Sequence, residues 1–156
     1  SKQTNKLFIS AVAVFMLAIV ISAVAVFNRP YKYRTLQQLG ESAVARHSEN
    51  NRFMTFTAAE IDSARALMTK TLKFNVIVPD LSSQGYMLLG GRICSLGKCS
   101  IAYLFYEHEN QICSLFILDY DNLNFKMADG SRYLDTVKGF NTDIWKNNGQ
   151  VYALVF

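Results

Sequence analysis

Residues 7–27 form 21 consecutive positions without a charged side chain, and this run constrains the chain more than any other feature. As a helix it would extend about 31 Å, matching a hydrocarbon layer roughly 30 Å thick. Its only polar side chains are Ser10 and Ser22, whose hydroxyls can return a hydrogen bond to the carbonyl four residues earlier. A single small domain has no interior able to surround such a helix on every side, so a buried core helix does not suit. A cleaved secretory signal is the stronger rival, because Ala23-Val24-Ala25 has the small-x-small form that a signal peptidase accepts. Signal cores run only about 7 to 15 residues, however. The run reads as a single transmembrane helix, with residues 1–6 as a short tail. Lys2 and Lys6 precede it and Arg29, Lys32 and Arg34 follow it, so the positive-inside comparison gives no vote on orientation.

Beyond this anchor, 51% hydrophobic and 18% charged residues exclude a disordered or collagen-like chain. The net charge of +4 is spread along the sequence, which argues against direct nucleic-acid binding. Arg29, Tyr31, Lys32, Tyr33 and Arg34 have the composition of a membrane-interface belt, rings at headgroup depth and cations toward phosphates. Leu36, Leu39, Ala43 and Val44 then recur at helical spacing before a polar cluster at residues 48–51. Residues 28–56 read as a juxtamembrane stalk helix and hinge. Thr57-Ala58-Ala59-Glu60 matches a capping box opening a helix with Ile61, Ala64, Met68 and Leu72 on one face, a stripe that needs a sheet to cover.

From Gly85 onward short β-rich runs predict strands at 86–94, 99–107, 111–119, 140–146 and 150–156, an antiparallel meander. Asn148-Gly149 supplies a tight two-residue turn, and residues 122–138 read as a long loop or a poorly marked helix. The whole is an α+β chain: one transmembrane helix, stalk helices, and a β-sheet domain over 57–156. A four-residue loop at 95–98 sets Cys94 opposite Cys99, Arg92 opposite Ile101 and Leu88 opposite Phe105. A loop at 108–110 sets Phe105 opposite Cys113. One surface then carries Leu88, Ile101, Tyr103, Phe105, Cys113, Leu115 and Ile117, and the other Met87, Leu89, Ile93, Ala102, Leu104, Ile112, Phe116 and Leu118. Both surfaces are apolar and need covers. The helix after Thr57 supplies one; the stalk helix, a long loop or another protein supplies the second.

Cys94 and Cys99, placed opposite one another, are disulfide candidates, and an exported location would let the bridge form. Reduced buried thiols, or a thiol switch or soft-metal site, are the alternatives. Cys113 lies too far along the sheet to join them and reads as a small buried hydrophobe. His47 and His108, the only histidines, read as solvated imidazoles, and Asp119 and Asp121 as turn formers. Gly90-Gly91 inside a strand signals a bulge or a close backbone approach. No nucleophile, base and oxyanion donor assemble, and no metal-ligand spacing or cofactor fingerprint is present. The expectation is a protein that is not an enzyme and carries neither metal nor cofactor.

Val78-Pro79-Asp80-Leu81-Ser82, followed by Gly85-Tyr86-Met87-Leu88-Leu89-Gly90-Gly91-Arg92-Ile93, resembles the exported C-terminal domain of bacterial transmembrane anti-sigma factors. The likeness continues through a Tyr-ended strand at 102–106 and a closing segment with Trp145 and Gly149-Gln150-Val151-Tyr152-Ala153. Pro79, Asp80, Leu81, Gly85, Gly90, Gly91, Arg92, Trp145 and Tyr152 carry it. The resemblance implies a bacterial inner-membrane protein with its N-terminus in the cytoplasm and its β-rich domain in the periplasm. Members of that family also have a cytoplasmic zinc-associated head that grips the sigma factor, whereas only residues 1–6 precede the anchor here. Two expectations follow. In one, the chain is a non-catalytic accessory subunit of a larger membrane complex, for instance a respiratory one, with other membrane subunits and the bilayer as partners. In the other, it is a transmembrane anti-sigma regulator whose exported domain senses an envelope signal or binds an envelope co-regulator.

Overall fold

The computed structural model describes the backbone of residues 2–27 and 31–156 and the side chains of residues 12–26 and 31–156. Two compact units divide the chain, one ending at Pro30 and the other spanning Tyr31–Phe156. In the first, α1 runs Lys2–Phe27, so helix includes positions 2–6 that the sequence reading leaves as a tail. Its described side chains are exposed, and the Ser22 hydroxyl donates to the Ala18 carbonyl at 2.8 Å. Among the described residues no helix is long and apolar enough to cross a membrane. Arg29 and the side chains of Lys2, Lys6 and Ser10 lie outside the described residues.

The second unit is α+β, with α2 (Leu36–Ser48), α3 (Ile61–Leu72) and strands β1 (Phe56–Thr57), β2 (Met87–Leu96), β3 (Cys99–His108), β4 (Gln111–Asp119), β5 (Arg132–Val137), β6 (Phe140–Asn147) and β7 (Gln150–Val155). All seven strands join one antiparallel sheet in the order β1-β2-β3-β4-β7-β6-β5. It is not the expected meander, because β7 inserts between β4 and β6. The region expected to be a loop or helix at 122–138 contains edge strand β5, tied to β6 by a Lys138-Gly139 turn with φ of 51° and 85°. The Asn148-Gly149 turn forms as expected, with φ of 49° and 73°.

Both helices lie on the sheet. Thr35 caps α2, its hydroxyl accepting from the Gln38 amide at 3.1 Å, and Leu39, Gly40, Ala43 and Val44 are buried against a core with Tyr33, Ile101, Tyr103, Phe105, Phe116, Leu118 and Ile144. The expected stalk is therefore part of the domain, which begins at Tyr31 rather than at residue 57. On the opposite face the Thr57–Glu60 capping box forms as expected. It holds the Glu60 carboxyl below its ordinary range, chiefly through the Thr57 amide and hydroxyl. There α3 buries Ala64 and Met68 over Ala102, Leu104, Tyr106, Cys113, Leu115, Ile117, Tyr152 and Leu154.

Two tight turns correct the expected registers. The first hairpin closes Leu96 onto Cys99 across Gly97-Lys98, so Cys94 faces Ile101 and Arg92 faces Tyr103. Cys94 and Cys99 are thus diagonal rather than opposite, a separation of about 7 to 8 Å that exceeds disulfide reach. All three cysteines are free thiols. The second hairpin closes His108 onto Gln111 across Glu109 and Asn110, both at positive φ. This one-residue change flips β4. Cys113, Leu115 and Ile117 join the α3 face and Phe116 and Leu118 the α2 face, the reverse of the expected partition.

Candidate functional site

The residues that carry the family resemblance divide into two groups with different work. The first group shapes the sheet. A register shift between Leu88 and Gly90 is the bulge expected at the glycine pair, and it turns Leu88 toward the α3 face. A Cβ on Gly90 would stand 2.2 Å from the Phe56 carbonyl, and one on Gly91 would stand 2.5 Å from the Tyr103 carbonyl. Only glycine admits β1 and β3 this closely. Arg92 is buried, its guanidinium 5.1 Å from the Tyr103 ring centre. It donates to the Phe53 carbonyl at 3.0 Å and to the Asn51 side chain and carbonyl at 3.2 Å, clamping residues 51–53 to the sheet. Trp145 stacks on Tyr152 at 5.1 Å.

The second group builds a groove. Residues 76–79 are pinned across the sheet: the Ile77 amide donates to Gln150 at 2.9 Å, the Tyr152 hydroxyl to the Ile77 carbonyl at 3.0 Å, and the Tyr106 hydroxyl to the Pro79 carbonyl at 3.2 Å. Burial pushes the Tyr152 hydroxyl up to about 12 and raises Tyr106 as well, so both stay protonated donors. The backbone then makes a 3-10 turn, Ser82–Gln84, stopped by Gly85 at φ 82°. Pro79, Asp80, Leu81 and Gly85 thereby meet Ile61, Asp62 and Arg65 of α3, Val78, Ser82, and Tyr86, Met87, Leu88 and Tyr106 around a groove of about 560 Å³. The groove is mainly apolar, and Met87 at its edge is 56% exposed. Asp80 accepts from the Ser82 amide at 2.9 Å. Ser82, by side chain and amide, holds that carboxyl below its ordinary range, so it is anionic at neutral pH. Arg65 pairs with Asp62 at 3.5 Å. Such a site can take up apolar side chains and favour a cation beside them. Among the described residues no cluster of three His, Cys, Asp or Glu side chains is placed to hold a metal ion.

The expected membrane-interface residues divide as well. Lys32 and Arg34 are exposed. Tyr33 is 0% exposed in the core under α2, and Tyr31 packs edge-on against it at 5.4 Å. The Tyr33 ring is therefore not free for a headgroup layer, whereas Tyr31 is half-buried. His47 is half-buried rather than freely solvated: its Nδ1 lies 2.7 Å from the Ser114 hydroxyl, which lies 2.9 Å from that of Tyr103. Burial, aided by the Arg52 charge, lowers the His47 pKa. His108 stacks on Tyr86 at 4.2 Å. Asp119 caps its own turn, accepting from the Asp121 amide at 3.2 Å. Asp62, Arg65 and Tyr106 were not legible as groove residues, since no local motif brings a helix face and a mid-strand tyrosine to one place. No family model, curated protein or solved structure matches the chain.

Proposed function

We propose that the chain is a single-pass inner-membrane protein whose exported α+β domain binds protein without catalysis, as an accessory subunit of a larger membrane complex. The single observation that carries this reading is the groove between α3 and residues 78–88. It has a mainly apolar lining, an exposed Met87, and Asp80 at its rim. Its occupant would be a short apolar segment of a partner protein flanked by a basic residue. The uncharged run at 7–27 supports the anchor. The resemblance at Val78–Ile93 favours a second reading, a transmembrane anti-sigma regulator whose partner in the same groove is an envelope protein.

Purification of the full chain in mild detergent tests the proposal. Wild type should bring down integral membrane subunits in fixed ratio, and Met87→Asp should lose them while melting at the same temperature. A Met87→Asp chain that keeps its partner would refute the groove. Co-purification of an envelope regulator instead would select the second reading. Protease treatment of intact spheroplasts should digest the domain, and a shielded domain would refute the orientation.

A further inference from the structure

The last turn of α2 and the sheet beneath it enclose a small polar cavity. Its floor is a chain of three side chains, His47, Ser114 and Tyr103, joined by contacts of 2.7 and 2.9 Å, with Ser114 and Tyr103 only 1% and 2% exposed. Its rim is Asn50, Asn51 and Arg52, which are exposed and follow α2 in sequence. The cavity measures about 30 Å³. That is room for one water molecule or one halide ion, and too little for sulfate, phosphate or a carboxylate.

Positive charge gathers around this cavity without its complement. The Arg92 guanidinium stands 5.1 and 5.8 Å from the ring centres of Tyr103 and Phe105, both of them cavity walls. It is 8% exposed, and its partners are the Asn51 side chain and the carbonyls of Asn51 and Phe53, none of them a carboxylate. Its Nε is buried with no hydrogen-bond partner. Buried cations are ordinarily paired with an anion. No Asp or Glu lines the cavity, Glu107 included although it faces the wall residue Ile112 across the ladder, and Glu49 is taken by Arg46 at 2.7 Å. The Asn51 side-chain oxygen already accepts from Arg92 and from the Phe53 amide, so the group Asn51 has left to offer is its NH₂, another donor.

We propose that this cavity binds a small monovalent anion, chloride above all, which accepts from the Tyr103 hydroxyl in the field of Arg92 and Arg52 and ties residues 50–52 to α2 and the sheet. Ser114 has one proton to give, so its chain runs one of two ways. With His47 Nδ1 bare, Tyr103 donates to Ser114 and Ser114 to His47, and every proton is used. With Nδ1 protonated the order reverses, and the Tyr103 O–H, whose one partner among the described residues is Ser114, points to the anion. Burial raises the Tyr103 pKa, so that proton stays in place. Anion and His47 proton therefore bind together. The groups that face His47 are Arg46 and Glu49 on α2, paired with each other, Arg52 from the segment beyond, and Tyr103 and Arg92 from the sheet; Ser114 and the edge-on Phe140 ring at 5.0 Å carry no charge. By linkage each ligand tightens the other by the same factor, about 3- to 10-fold for two charges this close near a protein surface.

The test compares sodium chloride with sodium gluconate, whose anion is too large for the cavity, at equal ionic strength on the full-length chain in a neutral detergent. The His47 ring is followed by NMR, its signal told from that of His108 with His47→Gln. Chloride should raise the His47 pKa by about 0.5 to 1 unit over gluconate. It should also raise the melting temperature, and more at about pH 5.5 than at about pH 8. Sodium sulfate should behave as gluconate does. Tyr103→Phe keeps the ring and removes only the donor, and should abolish the chloride effect. The proposal is overturned if wild-type His47 titrates alike in chloride and gluconate, which leaves the cavity to water. It is overturned as well if sulfate matches chloride, which reduces the effect to screening, or if Tyr103→Phe keeps the full chloride shift.

Discussion

The two faces of the sheet are covered by helices of similar length and yet differ in what they leave open. On the α2 face, the helix is joined by residues 31–35 and 120–127, stitched together where Tyr33 bridges Asn122 and Asn124. Tyr120, Phe125 and Met127 add to the seal. On the α3 face, residues 76–88 cross the sheet as extended chain and a single turn, and between them and α3 a groove remains. Local sequence at the groove rim thus serves shape, with Pro79 and Gly85 setting the path, whereas on the sealed face it serves packing. A sheet apolar on both sides does not by itself imply a partner, since this chain supplies both covers itself. The part left for a partner is a gap between covers.

The comparison can be broken or sharpened by experiment. The largest effect is expected on the sealed face, where Phe116→Ala should cost about 3 to 5 kcal/mol in thermal or denaturant unfolding, because the ring is fully buried. A loss below about 1 kcal/mol would show that the face is loosely packed. Tyr106→Phe, on the groove side, leaves the Pro79 carbonyl without its donor and should cost about 1 to 2 kcal/mol. It should also weaken partner capture, which a purely structural hydroxyl would not do. Acidification should act on the sealed face. The folded His47 pKa lies below its ordinary 6.5, so its contribution is fully present above about 6.5 and is lost as pH falls through the folded value. His47→Gln should flatten that part of the stability profile, and an unchanged profile would exclude His47 as its source. Thiol labelling should modify three cysteines after denaturation without reductant, where a Cys94–Cys99 bridge would leave one. In the native state Cys94 should react ahead of buried Cys99 and Cys113, and slowly, because burial raises its pKa. The smallest stability effect, within about 0.5 kcal/mol, is expected for exposed Met87→Asp at the groove edge.

What was legible in the sequence was local. The capping box at Thr57, the Asn148-Gly149 turn, the bulge at the glycine pair and five of the strands are each set by neighbouring residues. Register was not legible at Glu109-Asn110, because neither residue is a glycine although both take positive φ, and a one-residue error there inverts the faces of β4. The edge strand β5 was missed because it is mostly exposed and polar, so it lacks the alternation that marks a half-buried strand. The amphipathic spacing of α2 told that one side of the helix is covered, but not that the sheet of its own chain covers it. Of the groove, the turn residues were visible through the resemblance. The contributions of α3 and β3 depend on a crossing that only tertiary structure sets.

The position of β7 has a consequence for how the domain is made. The strand farthest along the chain lies between β4 and β6, so the halves of the sheet on either side of it have no direct bond to each other until it arrives. During synthesis, β2 through β4 emerge first and wait with an open flank for residues 150–155. Closure is then a late event, and a product shortened by even those few residues would be left with two sheet fragments held together only through α2, an easy target for proteases.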